Sequence, residues 1–375
     1  MSTLEELTNI SSIVFNPAIK GWKEEGKKVA GFFCTYVPEE IIYAAGILPY
    51  RVRPVGCTET MSADVYLHRI NCSFVRSCLE YALAGKYEFL DGVVFENGCD
   101  HSRRLYDVWR EKVNHDHQFV YLLQVPHKVT DESIAFFRDE IAKFRDNLEK
   151  HFGVEITESR LRNAIGVYNE TRGLLKRLYD LRQRAKPPIA GAECLNVVLA
   201  ATAVPRDRYN QLLTRLLEEL EQREEIPDYK ARLMIVGSLY DDPAYTEIIE
   251  ELGGLVVTDG LCFGSRYFWE PVEGGADLLG ALSKSYMSRP SCPRMTNTAP
   301  QRLDFVKEMI ERFRVDGIIL QRIRYCDVWG GELFHLRNKL GELGIPMLAL
   351  EREYALGSTE QLRTRVEAFL ETIGR

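Results

Sequence analysis

The chain has 375 residues, 48 of them Lys or Arg and 55 Asp or Glu, for a formal charge of −7, with 45% hydrophobic and 27% charged residues. That length suits two domains, and the composition excludes disordered, collagen-like and low-complexity chains. The basic residues are scattered rather than blocked, which disfavours nucleic acid and anionic membranes as partners.

The N-terminal stretch lacks a basic segment followed by a long apolar one. The longest nearly apolar run, Leu195 to Val204, is about half of a membrane span, so the reading is a soluble, cytoplasmic protein. The expected order is an N-terminal helical segment (1–27), a first α/β domain (28–128), a helical connecting element (129–230) and a second α/β domain (231–375). In the first domain Val29 to Cys34 is an apolar run of strand type. Pro38-Glu39-Glu40 opens a helix that stops at Gly46, with Pro at the first helical position and the carboxylates favouring the N-terminal dipole. Ile47 to Val52 is a second strand, Phe74 to Ala84 a helix, Asp91 to Phe95 a third strand and Phe119 to Val125 a fourth. Asp131 to Glu225 is charged and periodic, hence helical, broken at Lys186-Pro187-Pro188 and closed at Pro227.

From Ala231 the same grammar restarts, with strands at Leu233 to Gly237, Leu255 to Thr258 and Asp316 to Leu320, and a helix from Pro243 to Gly253-Gly254. Asp91-Gly-Val-Val and Asp316-Gly-Ile-Ile each precede a Cys-Asp pair, Cys99-Asp100 and Cys326-Asp327, and then a Trp, Trp109 or Trp329. Repeated words in a repeated order argue for two related parallel-sheet domains of flavodoxin or Rossmann type, joined by helices.

Nine cysteines in a chain large enough to bury its own core point to reduced thiols or metal-cluster ligands. Cys34, Cys57, Cys99, Cys262 and Cys326 fall at the carboxyl ends of predicted strands, where open parallel sheets bind ligands. No Cys-x-x-Cys occurs, which excludes the simplest zinc pattern, whereas an iron–sulfur cluster assembled from distant loops fits. Cys78 and Cys194, inside helical stretches, read as small core residues. His101, two residues beyond Cys99, is a candidate to orient a cluster or transfer a proton, and Glu332 is a second catalytic candidate. Arg103, Arg104 and Arg324 are candidates for ligand phosphate or carboxylate groups, against the ordinary reading of solvated helix faces. The chain carries no phosphate-binding loop, dinucleotide fingerprint or Gly-x-Ser-x-Gly elbow.

The string Tyr36-Val-Pro-Glu-Glu-Ile-Ile-Tyr-Ala-Ala-Gly-Ile-Leu-Pro49, followed by Cys72-Ser-Phe-Val-Arg-Ser77, Asn97-Gly-Cys-Asp-His-Ser-Arg-Arg104 and Tyr325-Cys-Asp-Val-Trp329, resembles the 2-hydroxyacyl-CoA dehydratase and benzoyl-CoA reductase family over nearly the whole chain. The resemblance implies a cluster of four-iron, four-sulfur type held by Cys72, Cys99 and Cys326 in the cleft between the domains. Cys72 enters through the resemblance. Cys262 and Cys292 are further candidates to line that cleft or add a ligand. The resemblance also implies a homologous partner subunit, in a heterodimer or pseudo-symmetric homodimer, a separate ATP-hydrolysing activator that delivers electrons, and an acyl-CoA substrate.

Leu90-Asp-Gly-Val-Val-Phe, Arg104-Leu-Tyr-Asp-Val-Trp109 and Val204-Pro-Arg-Asp-Arg-Tyr-Asn-Gln-Leu212 look closer to the smaller cluster-binding subunit of the aromatic reductases. Reduction of benzoyl-CoA-type thioesters is therefore the leading expectation, with (R)-2-hydroxyacyl-CoA dehydration as the alternative. Two further readings stay open: a double-cubane-type protein that relays electrons or reduces small molecules without an acyl-CoA substrate, and a cluster-free binding subunit with core thiols.

Overall fold

Two four-stranded sheets, parallel throughout, carry the chain in a computed structural model that describes residues 1–113, 118–226, 228–355, 357 and 359–373. In the first, β1 (Val29–Phe32), β2 (Leu48–Arg51), β3 (Gly92–Glu96) and β4 (Phe119–Leu123) lie in the order β2-β1-β3-β4. In the second, β5 (Ala231–Gly237), β6 (Gly254–Gly260), β7 (Gly317–Ile323) and β8 (Met347–Arg352) lie in the order β6-β5-β7-β8. The two orders are identical once the strands are counted within each unit. The predicted class, two related parallel-sheet domains, is therefore the fold. Strands β1, β2, β3, β5 and β6 are buried along their whole length, as expected where helices cover both faces of a parallel sheet.

The repeated Asp-Gly phrase has the same structural job in both units. Asp91 Oδ2 accepts from the Val29 main-chain N–H (2.9 Å) and Asp316 Oδ2 from that of Arg232 (2.7 Å), so each aspartate ties the start of the third strand to the start of the first. The glycines that follow are close-approach sites: a Cβ at Gly92 would stand 2.8 Å from Phe119 Cβ, and one at Gly317 2.5 Å from Ile373 Cδ1. These words are folding signals, and the cysteines downstream of them inherit equivalent places in the two units.

The segment between the sheets is helical: Asp131–Phe152, Glu158–Leu181, Gly191–Ala200 and Arg206–Glu221. Thr130 and Thr157 cap the first two by accepting main-chain N–H groups, and Gly153 ends the first in the left-handed conformation (φ 65°). The expected closure at Pro227 lies outside the described residues. The N-terminal helices Thr3–Ser12 and Pro17–Glu24 pack on this layer, where Asn16 caps the second and donates to the Ala203 carbonyl (2.8 Å).

Two details differ from expectation. Pro38 occupies the cap position before the helix Glu39–Ala44 rather than its first position, while Glu39 and Glu40 stand in the first turn as expected. Both are buried: Glu39 pairs with Arg206 (2.7 Å) and Glu40 with Arg172 (2.6 Å), locking the first unit onto the connecting helices. Strand β8 is an additional element. It is an edge strand with mixed exposure, so the continuous apolar run that marks the central strands is missing there.

Candidate functional site

In a doubly wound sheet the crevice opens where the chain leaves the first strand in one direction and the third in the other. Both units turn that end toward a common cavity of about 150 Å³. Cys34 follows β1 and Cys99 follows β3, while Leu239 and Cys326 come from the equivalent positions after β5 and β7. Six of the nine cysteines line the cavity: Cys34, Cys72 and Cys99 from the first half, and Cys262, Cys292 and Cys326 from the second. The predicted set of strand-end thiols is therefore changed in membership. Cys57 is excluded, being buried in the loop after β2 with its thiol donating to the Glu59 carbonyl (3.2 Å), whereas Cys72 and Cys292 join. Cys78 and Cys194 are wholly buried in helices, as small core residues.

Cys72, Cys99 and Cys326 share one local geometry. Each is the N-cap of a helix, Ser73–Leu83, Asp100–Val108 and Asp327–Glu342 respectively. Burial pushes all three thiols up, Cys99 to about 12, and the free main-chain N–H groups of the helix starts oppose that shift: Phe74 and Val75 at Cys72, Ser102 and His101 at Cys99, Trp329 at Cys326. Such thiols are neutral in the metal-free protein. A group that supplies positive charge among them would displace their protons, with the helix N-termini stabilising the resulting thiolates.

Cys34, Cys262 and Cys292 have different surroundings. Arg51 donates from Nη1 to the Cys262 carbonyl (2.6 Å) and from Nε to the Phe33 carbonyl (3.4 Å). Arg266 donates to the Ser291 carbonyl (3.0 Å) and its guanidinium stands 5.3 Å from the Trp329 ring. Arg294 holds the carbonyls of Val125 (3.0 Å), Pro126 (3.0 Å) and Gly98 (3.3 Å). These three buried arginines escaped the sequence reading because no spacing separates them from the solvated Arg that is the usual case.

His101 is a lining residue and a tie between loops. Its Nε2 lies 2.9 Å from the Tyr325 carbonyl, and its Nδ1 lies 3.0 Å from Asn71 Oδ1, one residue before Cys326 and Cys72 respectively. Glu332 stands outside the cavity lining, with both carboxylate oxygens taken by Arg302 (2.7 and 2.8 Å). Arg302 in turn holds the Met295 carbonyl (2.9 Å) and Thr298 Oγ1 (2.8 Å), and so fixes the loop that carries Cys292. Arg103, Arg104 and Arg324 form exposed ion pairs with Asp100, Asp107 and Glu351 and do not line the thiol cavity. Glu96, by contrast, lines the cavity with Oε1 bonded to Ser102 (2.8 Å) and Oε2 buried without a partner among the described residues. Burial raises it to about 7 against the opposing Ser102 bond and the Arg294 and Arg51 charges.

Among the described residues no three His, Cys, Asp or Glu side chains gather tightly enough to hold a single metal ion. A cluster places a different demand on the chain, because each thiolate binds a different iron and the sulfurs stand apart around the core. Thiols from six separate loops in one mostly apolar cavity suit a cluster and not a lone zinc.

Two doubly wound units thus meet at one cavity lined by six thiols. The chain belongs to the family described as 2-hydroxyglutaryl-CoA dehydratase, D-component (HGD-D), which matches residues 34–373. It is similar to the Escherichia coli protein YjiM, whose name describes a dehydratase subunit and gives no substrate, with 29% identity over 94% of this chain and 93% of that one. A benzoyl-CoA reductase subunit of Thauera aromatica is 27% identical over 95% and 94% of the two chains. The (R)-phenyllactyl-CoA dehydratase beta subunit of Clostridium sporogenes is 25% identical over the whole of both. These relatives are enzyme subunits, and their names divide between elimination of water and reduction. Among the described residues no helix is long and apolar enough to cross a membrane.

Proposed function

We propose that this chain is the iron–sulfur subunit of a low-potential reductase, and that its cavity holds a cluster of double-cubane type on two sets of three thiolates. The single observation that carries this reading is that six cysteines, three from each half of the chain, line one cavity. A lone cubane on Cys72, Cys99 and Cys326 would leave Cys34, Cys262 and Cys292 as unused thiols in the same dry space. When bound, the cluster supplies electrons at low potential. The chain's own part is to bury the thiols, offer helix N-termini to one set and guanidinium groups to the other, and exclude water with residues such as Phe33, Phe74, Leu105 and Trp329. A separate ATP-hydrolysing activator and a homologous partner or second copy complete this reading, with the protein in the cytoplasm.

A second reading keeps one cubane on Cys72, Cys99 and Cys326 and an acyl-CoA substrate, either a benzoyl-CoA-type thioester or a 2-hydroxyacyl-CoA. It is favoured by the names of the relatives from Thauera and Clostridium. Iron and acid-labile sulfide per chain separate the two readings in anaerobically purified protein. About eight iron atoms, falling on replacement of any of Cys34, Cys262 or Cys292 by Ala, supports the double cubane. About four, unchanged by those replacements, together with turnover of benzoyl-CoA or a 2-hydroxyacyl-CoA ester under a reduced activator, supports the second.

A further inference from the structure

The two ends of the cavity are electrostatically unlike. Around Cys72, Cys99 and Cys326 the stabilising groups are helix N-terminal N–H dipoles, and the full charges nearest Cys72, Arg352 and Glu353, oppose each other. His101 is 3.2 Å from the Asp327 carboxylate on the same side. Around Cys262 and Cys292 the nearest charges are cationic: Arg51 bonds the Cys262 carbonyl, and Arg266 bonds the Ser291 carbonyl and approaches the Cys292 thiol. Arg266 is only 6% exposed and its Nε has no partner among the described residues. A buried guanidinium with an unused donor, beside two thiols of a metal-binding cavity, asks for an anionic acceptor. Glu96 and Arg294 stand between the two ends and offset each other there: Glu96 faces Cys34 and Cys99 together, and Arg294 bonds the Gly98 carbonyl beside Cys99 while its charge also reaches Cys34, so the bias rests on Arg51 and Arg266.

We propose that Arg266, assisted by Arg51, is a positioning and potential-setting residue that makes the Cys34/Cys262/Cys292 end of the cavity the more easily reduced one, so that an electron entering the cavity settles there. The inference rests on the double-cubane reading above. Each step considered is a one-electron reduction of bound iron by an external low-potential donor. The added negative charge is stabilised by a fixed cation close by, and less so by dipoles alone. The unused Arg266 Nε supplies a hydrogen bond to the sulfur ligands on that side, which acts in the same direction.

The test is a redox titration of the anaerobic holoprotein followed by electron paramagnetic resonance, with iron counted in every sample. Cys262→Ser and Cys326→Ser, each of which exchanges one sulfur ligand for oxygen at one end, assign the steps. Cys262→Ser is expected to move the higher-potential step and Cys326→Ser the lower one. Arg266→Gln is expected to shift the higher step to more negative potential by at least tenfold in its equilibrium constant, 59 mV for one electron, and the lower step by less. Arg266→Lys should recover most of that shift because the charge returns. Movement of the higher step by Cys326→Ser overturns the proposal, and this holds even if Arg266→Gln cannot be loaded with iron. So does an iron-replete Arg266→Gln protein in which both steps stay put or move equally. A parent protein with about four iron atoms instead removes the double-cubane reading itself, which is a separate result.

Discussion

The Nε2 of His101 donates to the main-chain carbonyl of Tyr325 across 2.9 Å, joining the helix start behind Cys99 to the residue before Cys326. Asn71 Nδ2 donates to the His68 carbonyl (2.9 Å), and its amide oxygen stands 3.0 Å from His101 Nδ1, so the residue before Cys72 packs against the same ring. One imidazole thus spans the three loops that carry the helix-capping thiols. Tyr325 makes this contact from the left-handed region (φ 64°), rare for a residue with a side chain.

His101→Ala should therefore cost about 1 kcal/mol, the hydrogen bond that the ring donates to the Tyr325 carbonyl. It should also lower iron retention, because the loops lose their mutual register. Tyr325→Gly should leave both essentially unchanged, since the carbonyl does the bonding, the side chain is 43% exposed, and glycine accepts the positive φ without strain. Urea unfolding of the metal-free variants, with iron analysis of the loaded ones, checks both. Equal losses in the two variants would refute the assignment of the tie to the His101 ring.

Replacing Cys78 or Cys194 by Ala should leave bound iron unchanged and cost on the order of 1 kcal/mol in packing, since both are wholly buried outside the cavity. Cys99→Ala should strip iron from the protein. The comparison requires all three variants to be purified anaerobically under one protocol, and iron loss in Cys78→Ala equal to that in Cys99→Ala would contradict it.

Glu332→Gln leaves Arg302 buried without its carboxylate. Breaking a buried pair costs on the order of 3 kcal/mol, and here the loop holding Cys292 loses its anchor as well. A lower denaturation midpoint, together with faster alkylation of Cys292 in the metal-free protein, is the expected result. An unchanged midpoint would show that the pair does not hold this loop.

Glu96 gives the metal-free protein a pH dependence. Its folded-state value of about 7 lies above the ordinary 4.5, so its contribution to stability is complete below about pH 4.5 and is lost as the pH rises through 7. The loss amounts to about 3 kcal/mol for a shift of this size. Glu96→Gln, which mimics the protonated acid, should match the parent near pH 5 and exceed it at pH 8. Denaturation curves at the two pH values measure the gap, and a gap that does not widen with pH would rule out this carboxyl as its source.

The residues themselves determined the strand and helix grammar, the parallel class and the duplication. Apolar runs, Pro and Gly punctuation and the Asp-Gly words act over a few neighbouring positions, and their physical cause is local. The edge strand β8 escaped because half of it faces solvent, and the buried pairing of Glu39 and Glu40 escaped because their partners, Arg206 and Arg172, lie far along the chain. Only the tertiary structure decided which thiols share a cavity: it drew Cys34, Cys72, Cys262 and Cys292 in beside Cys99 and Cys326, left Cys57 out, and set Arg51, Arg266 and Arg294 around them. It also removed Glu332 from the cavity and made it the counter-ion of Arg302. Proximity of this kind arises when two sheets, each closed by its own hydrophobic core, bring their switch points face to face, and no spacing within one segment encodes the contact between loops from different halves.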